Sequence, residues 1–347
     1  MTLKRNFTRQ LLLSVICAGA SSICLAEPQI QSVKGQLLNG AKLSISGNNF
    51  SSANAIPALY DHVDNQSEFS TLSDGSVIPE DRGPWTHNTS IYGNPITIAR
   101  NGDLRTPDSK AVYEGRVKSY LGWPRSMQDT ETKTLYVSWW YKPSQTVDQG
   151  GSNKFLRIWD DSSGNNTRIS WTQMHMIYDA LDLGYIPPTS WATTQPDPGT
   201  WNRLEIYADA DAGAITASLN GDVKHKLNDF KKSPTYRGLT VALVGFDPSI
   251  KDNYPNYSFR MTDIYVSETQ ARVEISDSPT WDPTSHREVL NVNSWSDQSI
   301  DVTFNLYAHK ASSSLYLYVI DNNGSVNANG YQLCEKCPSQ VQSITIE

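Results

Sequence analysis

Gly199-Thr200-Trp201-Asn202-Arg203-Leu204-Glu205-Ile206-Tyr207-Ala208, the turn Asp209-Ala210-Asp211-Ala212-Gly213, and Ala214-Ile215-Thr216-Ala217-Ser218-Leu219 closing on Asn220-Gly221-Asp222 form the stretch that decides the fold. Apolar side chains recur at every second residue on both sides of an Asp- and Gly-bearing turn, the pattern of two half-buried strands joined as a hairpin. Outward from it, the same period of two runs through Leu135 to Tyr141, Lys154 to Trp159, Arg168 to Tyr178, Leu239 to Gly245 and Ser258 to Ser267. Clusters such as Asp160 to Asn166 punctuate these runs as turns. No amphipathic helix of normal length is legible between residues 51 and 268. A run of strands over that span predicts one large β-sandwich.

The two ends of the chain read as parts of a second, smaller β domain. Pro28-Gln29-Ile30-Gln31-Ser32-Val33 and Leu43-Ser44-Ile45-Ser46-Gly47-Asn48-Asn49-Phe50 make two strands around Asn39-Gly40. Ala271 to Ile275, Val292 to Phe304 and Ser314 to Asp321 supply further strands. In that order the pieces resemble the immunoglobulin-like TIG (IPT) module, with its P-x-I-x-S-V opening, its I-x-G-x-N-F strand and its late W-S-D-x-x-I-x-V strand, here Trp295 to Val302. Such modules mostly hold, space or bind.

Within the middle of the chain, Trp201 to Ile206 followed by Ile215 to Gly221 resembles the central hairpin of concanavalin A-like lectin and glucanase jelly rolls. Met261-Thr262-Asp263-Ile264-Tyr265-Val266 is similar to their last strand, which returns beside the first. The resemblances imply an all-β protein: a concanavalin A-like jelly-roll sandwich over residues 51–268, inserted into a discontinuous immunoglobulin-like β-sandwich made of residues 27–50 and 269–347. Neighbouring entry and exit points are what an insertion requires, because they let the host sheet close undisturbed.

Residues 1–26 read as an export signal. Lys4, Arg5 and Arg9 precede a short apolar core, and Cys24-Leu25-Ala26 is a small-residue cleavage site, so the chain is expected to be cut after Ala26 and secreted, to the periplasm or cell surface or beyond. The apolar core is shorter than the roughly 20 residues that span a bilayer, and no membrane insertion is expected. The whole chain carries 29 Lys plus Arg against 36 Asp plus Glu, a net charge of −7. The leader holds three of those cations and no acid, so the mature chain is more acidic still. That balance argues against binding nucleic acid by bulk charge, although a local basic groove is compatible with it. Only Cys334 and Cys337 follow the leader, and in an oxidising compartment they are expected to form a short-loop disulfide.

Alternation also sorts the side chains by face. Leu204, Ile206 and Ala208 set Arg203, Glu205 and Tyr207 on the opposite side, and the same reasoning on the other strands collects Trp140, Lys142, Arg157, Trp159, Trp171, Gln173 and His175 with them. Aromatic rings beside cationic and hydrogen-bonding groups suit a sugar, whose apolar C–H faces stack and whose hydroxyl rim needs polar partners. Trp140, Arg157, Trp159, Trp171, Gln173, His175, Arg203 and Tyr207 are therefore the expected ligand-binding residues. The expected ligand is an extracellular polysaccharide or glycoconjugate, bound without catalysis.

Two alternatives stand beside that expectation. Gln173-Met174-His175 resembles the Q-x-H strand of alginate-lyase-like enzymes, which would make Arg157, Gln173, His175 and Tyr207, or Tyr178 in its place, the groups of a lyase acting on a uronate polymer. The family's R-x-E-x-R strand is incomplete here, since Arg203-Leu204-Glu205 follows Q-x-H and lacks the second Arg. The paired acids of a glycosidase are not found either. The other alternative is a structural protein binding a cell-surface protein. No cofactor is implied; Asp209-x-Asp211-x-Gly213 and Asp160-Asp161 offer oxygens that leave structural calcium open, with hairpin turns the simpler explanation of both.

Overall fold

The computed structural model describes residues 26–51, 55–88, 93–160, 166–180, 189–192, 195–310 and 313–334. The expected leader, apart from Ala26, lies outside the described residues, and so does Cys337, the second half of the expected disulfide. Among the described residues there are strands and short 3-10 turns but no α-helix, and no helix long and apolar enough to cross a membrane.

The strands in chain order are β1 (Gln29–Gly35), β2 (Lys42–Asn48), β3 (Leu59–Asp61), β4 (Trp85–Asn88), β5 (Thr97–Ala99), β6 (Val112–Arg116), β7 (Ser119–Pro124), β8 (Thr134–Pro143), β9 (Asn153–Trp159), β10 (Thr167–Thr172), β11 (His175–Ala180) and β12 (Ser190–Trp191). They continue with β13 (Asn202–Asp209), β14 (Ala214–Leu219), β15 (Asp222–Leu227), β16 (Thr240–Pro248), β17 (Ser258–Ser267), β18 (Arg272–Ser276), β19 (Arg287–Val289), β20 (Asn291–Trp295), β21 (Ser299–Thr303), β22 (Leu315–Ile320) and β23 (Tyr331–Cys334).

The jelly roll is two antiparallel sheets face to face. One has seven strands in the order β12-β11-β10-β9-β16-β7-β4; the other has eight, β15-β14-β13-β8-β17-β6-β5 with β3 added on β17. The deciding hairpin forms as read: β13 and β14 pair from Leu204↔Leu219 to Asp209↔Ala214 without a register shift. Leu204, Ile206 and Ala208 enter a core that also takes Val137 and Trp139 from β8, Leu156 and Ile158 from β9, and Ile169 and Trp171 from β10. The two sheets meet there through Trp139 and Trp171, edge to face at 5.8 Å and 79°, a geometry that ring quadrupoles favour.

The smaller sandwich closes from both ends of the chain. Its first sheet is β1-β2-β21-β20 and its second β19-β18-β22-β23. Leu43↔Val302 and Ile45↔Ile300 are direct cross-strand partners, so the N-terminal strand completes a sheet made otherwise of late residues. Leu43, Ile45, Val273, Ile275, Ile300, Val302, Leu317 and Val319 form its core. β3 and β17, near the entry and exit of the jelly roll, lie side by side through Leu59↔Val266. The fold is therefore all-β, a large jelly-roll sandwich joined to a discontinuous immunoglobulin-like one.

The two sandwiches are in close contact at Gly221. This residue has φ +79°, and a Cβ there would fall 1.5 Å from the Pro283 carbonyl oxygen. Only glycine leaves room for the backbone of the smaller sandwich to approach.

Candidate functional site

The structure divides the expected ligand-binding residues between the two sheets. Trp140, Arg203 and Tyr207 are on β8 and β13 of the eight-stranded sheet, whereas Arg157, Trp159, Trp171 and His175 are on β9, β10 and β11 of the seven-stranded sheet. Alternation within a strand separates inner from outer side chains, but it does not say which sheet the strand joins.

On the eight-stranded sheet the outward row is covered by β18 and β19. Arg203 is buried and donates to Glu205 at 2.9 Å, to Glu274 at 2.8 Å and to the Arg287 carbonyl at 3.0 Å. Arg287 donates to Glu274 at 2.5 Å and to Glu205 at 3.0 Å, and Arg272 donates to Glu274 at 2.5 Å. Tyr136 donates to Glu205 at 2.7 Å. Three guanidiniums and two carboxylates thus cross the junction between the sandwiches. Against the cost of burial, Arg203 and Arg287 hold Glu274 well below the ordinary carboxylate range and depress Glu205 as well.

Trp140 belongs to the same junction. Its Nε1 donates to Glu288 at 3.1 Å, and the Arg105 guanidinium lies 4.7 Å from its ring. Arg105 in turn bridges Asp263, at 2.5 Å, and Glu288, at 2.7 Å, while His62 also bonds Asp263. Tyr207 is half-buried and donates to Asp209 at 3.1 Å; Lys142 pairs with Asp103. The second sandwich thus takes much of the face assigned to Trp140 and Arg203, and the two residues line a cleft of about 380 Å³ at the junction together with Trp201 and His286.

This junction contributes to the pH dependence of stability. Burial opposes ionisation of Asp263, Glu205, Glu274 and Glu288, yet neighbouring Arg and His groups hold all four below their ordinary values. A carboxylate depressed in the folded state adds stability above its unfolded pKa and loses it as pH falls toward the folded value. His62 runs the opposite way: burial lowers its pKa, but Asp263 more than compensates and raises it from 6.5 to about 10. Its contribution is complete below 6.5 and fades as pH rises toward 10. Asp61, raised by burial to about 6 despite bonds from Tyr113, Trp85 and Gln66, offsets part of the acid-side loss because its share is complete below 3.8 and lost as pH rises through 6. His225, pushed down to about 4 by burial, adds a loss that begins as pH falls below 6.5, so the expected result is a urea midpoint greatest near pH 6.5 that falls gently to about 4.5 and steeply below it. A midpoint flat down to pH 3 would exclude the junction as the acid-sensitive element.

The expectation for Trp171 is corrected. It is fully buried in the jelly-roll core, between Trp139 and His225, whose ring lies 6.2 Å away. Trp171→Ala is expected to cost about 3–5 kcal/mol of stability as a core truncation, read as a lower urea midpoint. It should leave ligand affinity of the folded fraction unchanged.

The outer face of the seven-stranded sheet holds the other group, with further residues that the sequence reading did not collect. Trp159, on the central strand β9, is flanked by Thr240 of β16 and Arg168 of β10 as direct cross-strand partners. The guanidiniums of Arg157 and Arg168 lie 5.9 and 5.8 Å from its ring centroid, within the range of a cation–π contact. Trp123 meets it edge-on at 5.7 Å and 65°. With Leu121 in the core, simple alternation along β7 would turn Trp123 inward; at φ +57° it breaks the pattern and reaches Trp159. Such a left-handed conformation is uncommon for a bulky residue and marks a local constraint.

The rest of the face is polar and cationic. His87 and Tyr120 pair at 5.7 Å, His175 lies against the exposed Trp191 at 4.8 Å, and Lys154 stands 4.0 Å from Asp247. Burial and then the Arg157 charge push the Lys154 pKa down, and burial and then Lys154 push His175 down. Burial is the larger cause of both shifts, and in each a neighbouring cation adds to it. Beside Trp123 opens a cleft of about 410 Å³, walled by Thr86, Met127, Asp129, Arg237 and Thr240 among others.

The lyase constellation does not assemble as expected. Gln173 is not on a strand but in the turn between β10 and β11, buried, accepting from the Asn153 amide at 3.1 Å and donating to the Gly151 carbonyl at 3.1 Å. Tyr178 faces the core, its hydroxyl donating to the Asp229 carbonyl at 2.6 Å. Tyr207 is on the other sheet. Arg157 and His175 alone of that set share the outer face. Asp209, offered as a calcium ligand, accepts from the Asp211 and Ala212 amides at 3.0 and 2.8 Å, the bonding of a turn-former.

No protein-family model and no curated protein matches the sequence. Among solved structures, the chain is similar to the cellulose-induced protein Cip1, at 14% identity over 59% of this chain and 97% of that one, with a TM-score of 0.39. It is also similar to domain 4 of AbnA, a GH43 extracellular arabinanase from Geobacillus stearothermophilus, in complex with arabinotriose, at 16% identity over 62% and 96% and a TM-score of 0.33. The alginate lyase Aly36B gives 13% identity over 61% and 98%, with a TM-score of 0.34.

Proposed function

We propose that the outer face of the seven-stranded sheet binds an anionic extracellular polysaccharide or glycoconjugate without cleaving it. The observation that carries this reading is the Trp159 ring with two guanidiniums 5.9 and 5.8 Å from its centroid and Trp123 against its edge, beside an open cleft. An indole offers the apolar C–H face of a sugar a stacking surface, while Arg157, Arg168 and Lys154 give a carboxylate or sulfate its partners. Dispersal of Gln173, Tyr178 and Tyr207 away from the face favours binding over β-elimination. In this reading the chain is exported, residues 1–26 are its leader, and residues 27–50 with 269–347 form a TIG/IPT-like module that spaces the jelly roll from its attachment.

The test is affinity electrophoresis of the mature chain in gels containing uronate, sulfated or neutral polysaccharides, with ultraviolet absorbance of each mixture followed for an unsaturated product. Retardation by acidic polymers that weakens with added salt is expected, since exposed charges are screened over about 8–10 Å at physiological ionic strength. Rising absorbance would replace the reading with a lyase. No retardation by any polymer would replace it with a protein-binding role.

A further inference from the structure

Outside the jelly roll, the smaller sandwich brings together Asp277, His286 and His309. Each offers one ligand atom, and the three atoms lie within 4.8 Å of one another. They come from three places: Asp277 follows β18, His286 precedes β19, and His309 sits in the turn after β21. The His286 and His309 rings are stacked at 4.2 Å and 23°.

The two histidines are already oriented as ligands usually are. His286 uses Nε2 to bond the buried Glu288 carboxylate at 2.9 Å, which leaves Nδ1 for another partner. His309 is hydrogen-bonded to the backbone of Ile275, while its Nε2 is buried with no partner among the described residues, so that bond runs through Nδ1. Metal-binding imidazoles almost always give their second nitrogen to a carboxylate or a backbone carbonyl, which fixes ring and tautomer. One histidine here shows the first arrangement and the other shows the second. Ordinary ring packing explains the stack but not the orphaned nitrogen, since a buried polar atom left unsatisfied costs about 1–3 kcal/mol.

We infer that Asp277, His286 and His309 bind a divalent transition-metal ion of the zinc type. Two imidazoles and one carboxylate are the wrong donors for calcium or magnesium, which take oxygen ligands. They match zinc and its neighbours, including cobalt, nickel and copper. Ligand atoms around zinc stand about 2.0–2.2 Å from the ion, so the exposed Asp277 carboxylate closes in by rotation of its side chain when the ion enters. A fourth position toward solvent is left for water. The ion would tie both sheets of the smaller sandwich together next to Glu288, which also bonds Arg105 and Trp140 of the jelly roll.

The site is independent of the glycan-binding face, and its test is separate. The full mature chain is titrated with zinc and with cobalt ions alone, by calorimetry and by the visible absorbance of the cobalt complex, and its melting temperature is measured with and without zinc. One ion per chain and a zinc-dependent rise in melting temperature are expected. Asp277→Asn, at an exposed position that leaves folding intact, should weaken zinc binding by about tenfold or more; His309→Ala should abolish it, and His175→Ala on the jelly roll should leave it unchanged. Zinc bound equally well by wild type and Asp277→Asn would overturn the inference, as would absence of zinc and cobalt binding by a folded wild-type chain.

Discussion

Replacing Glu274 by alanine should cost the folded protein about 3–5 kcal/mol, the penalty for removing one member of a buried ion network. Glu274 is completely buried and accepts from Arg203, Arg272 and Arg287. Without it, three buried guanidiniums share Glu205 alone, and their mutual repulsion is felt in a medium that screens poorly. The effect is not confined to one sandwich, because Arg203 and Glu205 belong to β13 while the other three belong to β18 and β19. In the wild type the two sandwiches are expected to unfold in one urea transition. In Glu274→Ala the transition should move to lower urea and split, with near-ultraviolet signals from the jelly-roll tryptophans lost last. A loss under about 1 kcal/mol with a single transition retained would mean that the network contributes no coupling, as happens for some buried ion pairs whose desolvation cancels their attraction.

That junction is also where legibility in the sequence ends. Alternation along Arg203 to Ala208 correctly separated Leu204, Ile206 and Ala208, which are buried in the core, from Arg203, Glu205 and Tyr207 on the other side. It could not show that residues 71 and 84 positions later would cover the polar side. A polar outward face and a polar inter-domain face have the same pattern, and three-dimensional contact decides between them. The strand from Arg168 fails for a local reason. Thr172 Oγ1 accepts from the backbone amides of Met174 at 3.4 Å and His175 at 3.1 Å, turning the chain with no Gly or Pro to announce it. The phase inverts across that turn, so Trp171 points inward while His175 points out, and Gln173 becomes part of the turn. Trp123 is illegible for a third reason: its left-handed backbone breaks the alternation that would place it on the outer face. Arg168, by contrast, was legible in principle, because its place opposite Trp159 follows from the hairpin between β9 and β10. The pair of ends that close the smaller sandwich was legible because Leu43, Ile45, Ile300 and Val302 each sit in plain alternating runs.

Trp159→Ala should abolish retention by an acidic polysaccharide while leaving the fold intact, a loss of about 2 kcal/mol or more and so roughly thirtyfold in affinity. The ring is central on the outer face: Arg157 and Arg168 both lie over it, and Trp123 abuts its edge. Truncation therefore removes the stacking surface together with the ring contact of both guanidiniums. Trp159→Phe keeps an aromatic face and should recover most of the affinity, a rescue that a purely structural role for the indole would not require. Trp140→Ala is the matched control. Its indole is also beside an arginine, but it bonds Glu288 within the junction, so it should lower the urea midpoint and leave affinity of the folded protein unchanged. The opposite pattern, with Trp140→Ala losing ligand and Trp159→Ala retaining it, would move the binding site to the junction between the sandwiches. The outer face of the seven-stranded sheet would then be left as an ordinary solvated surface.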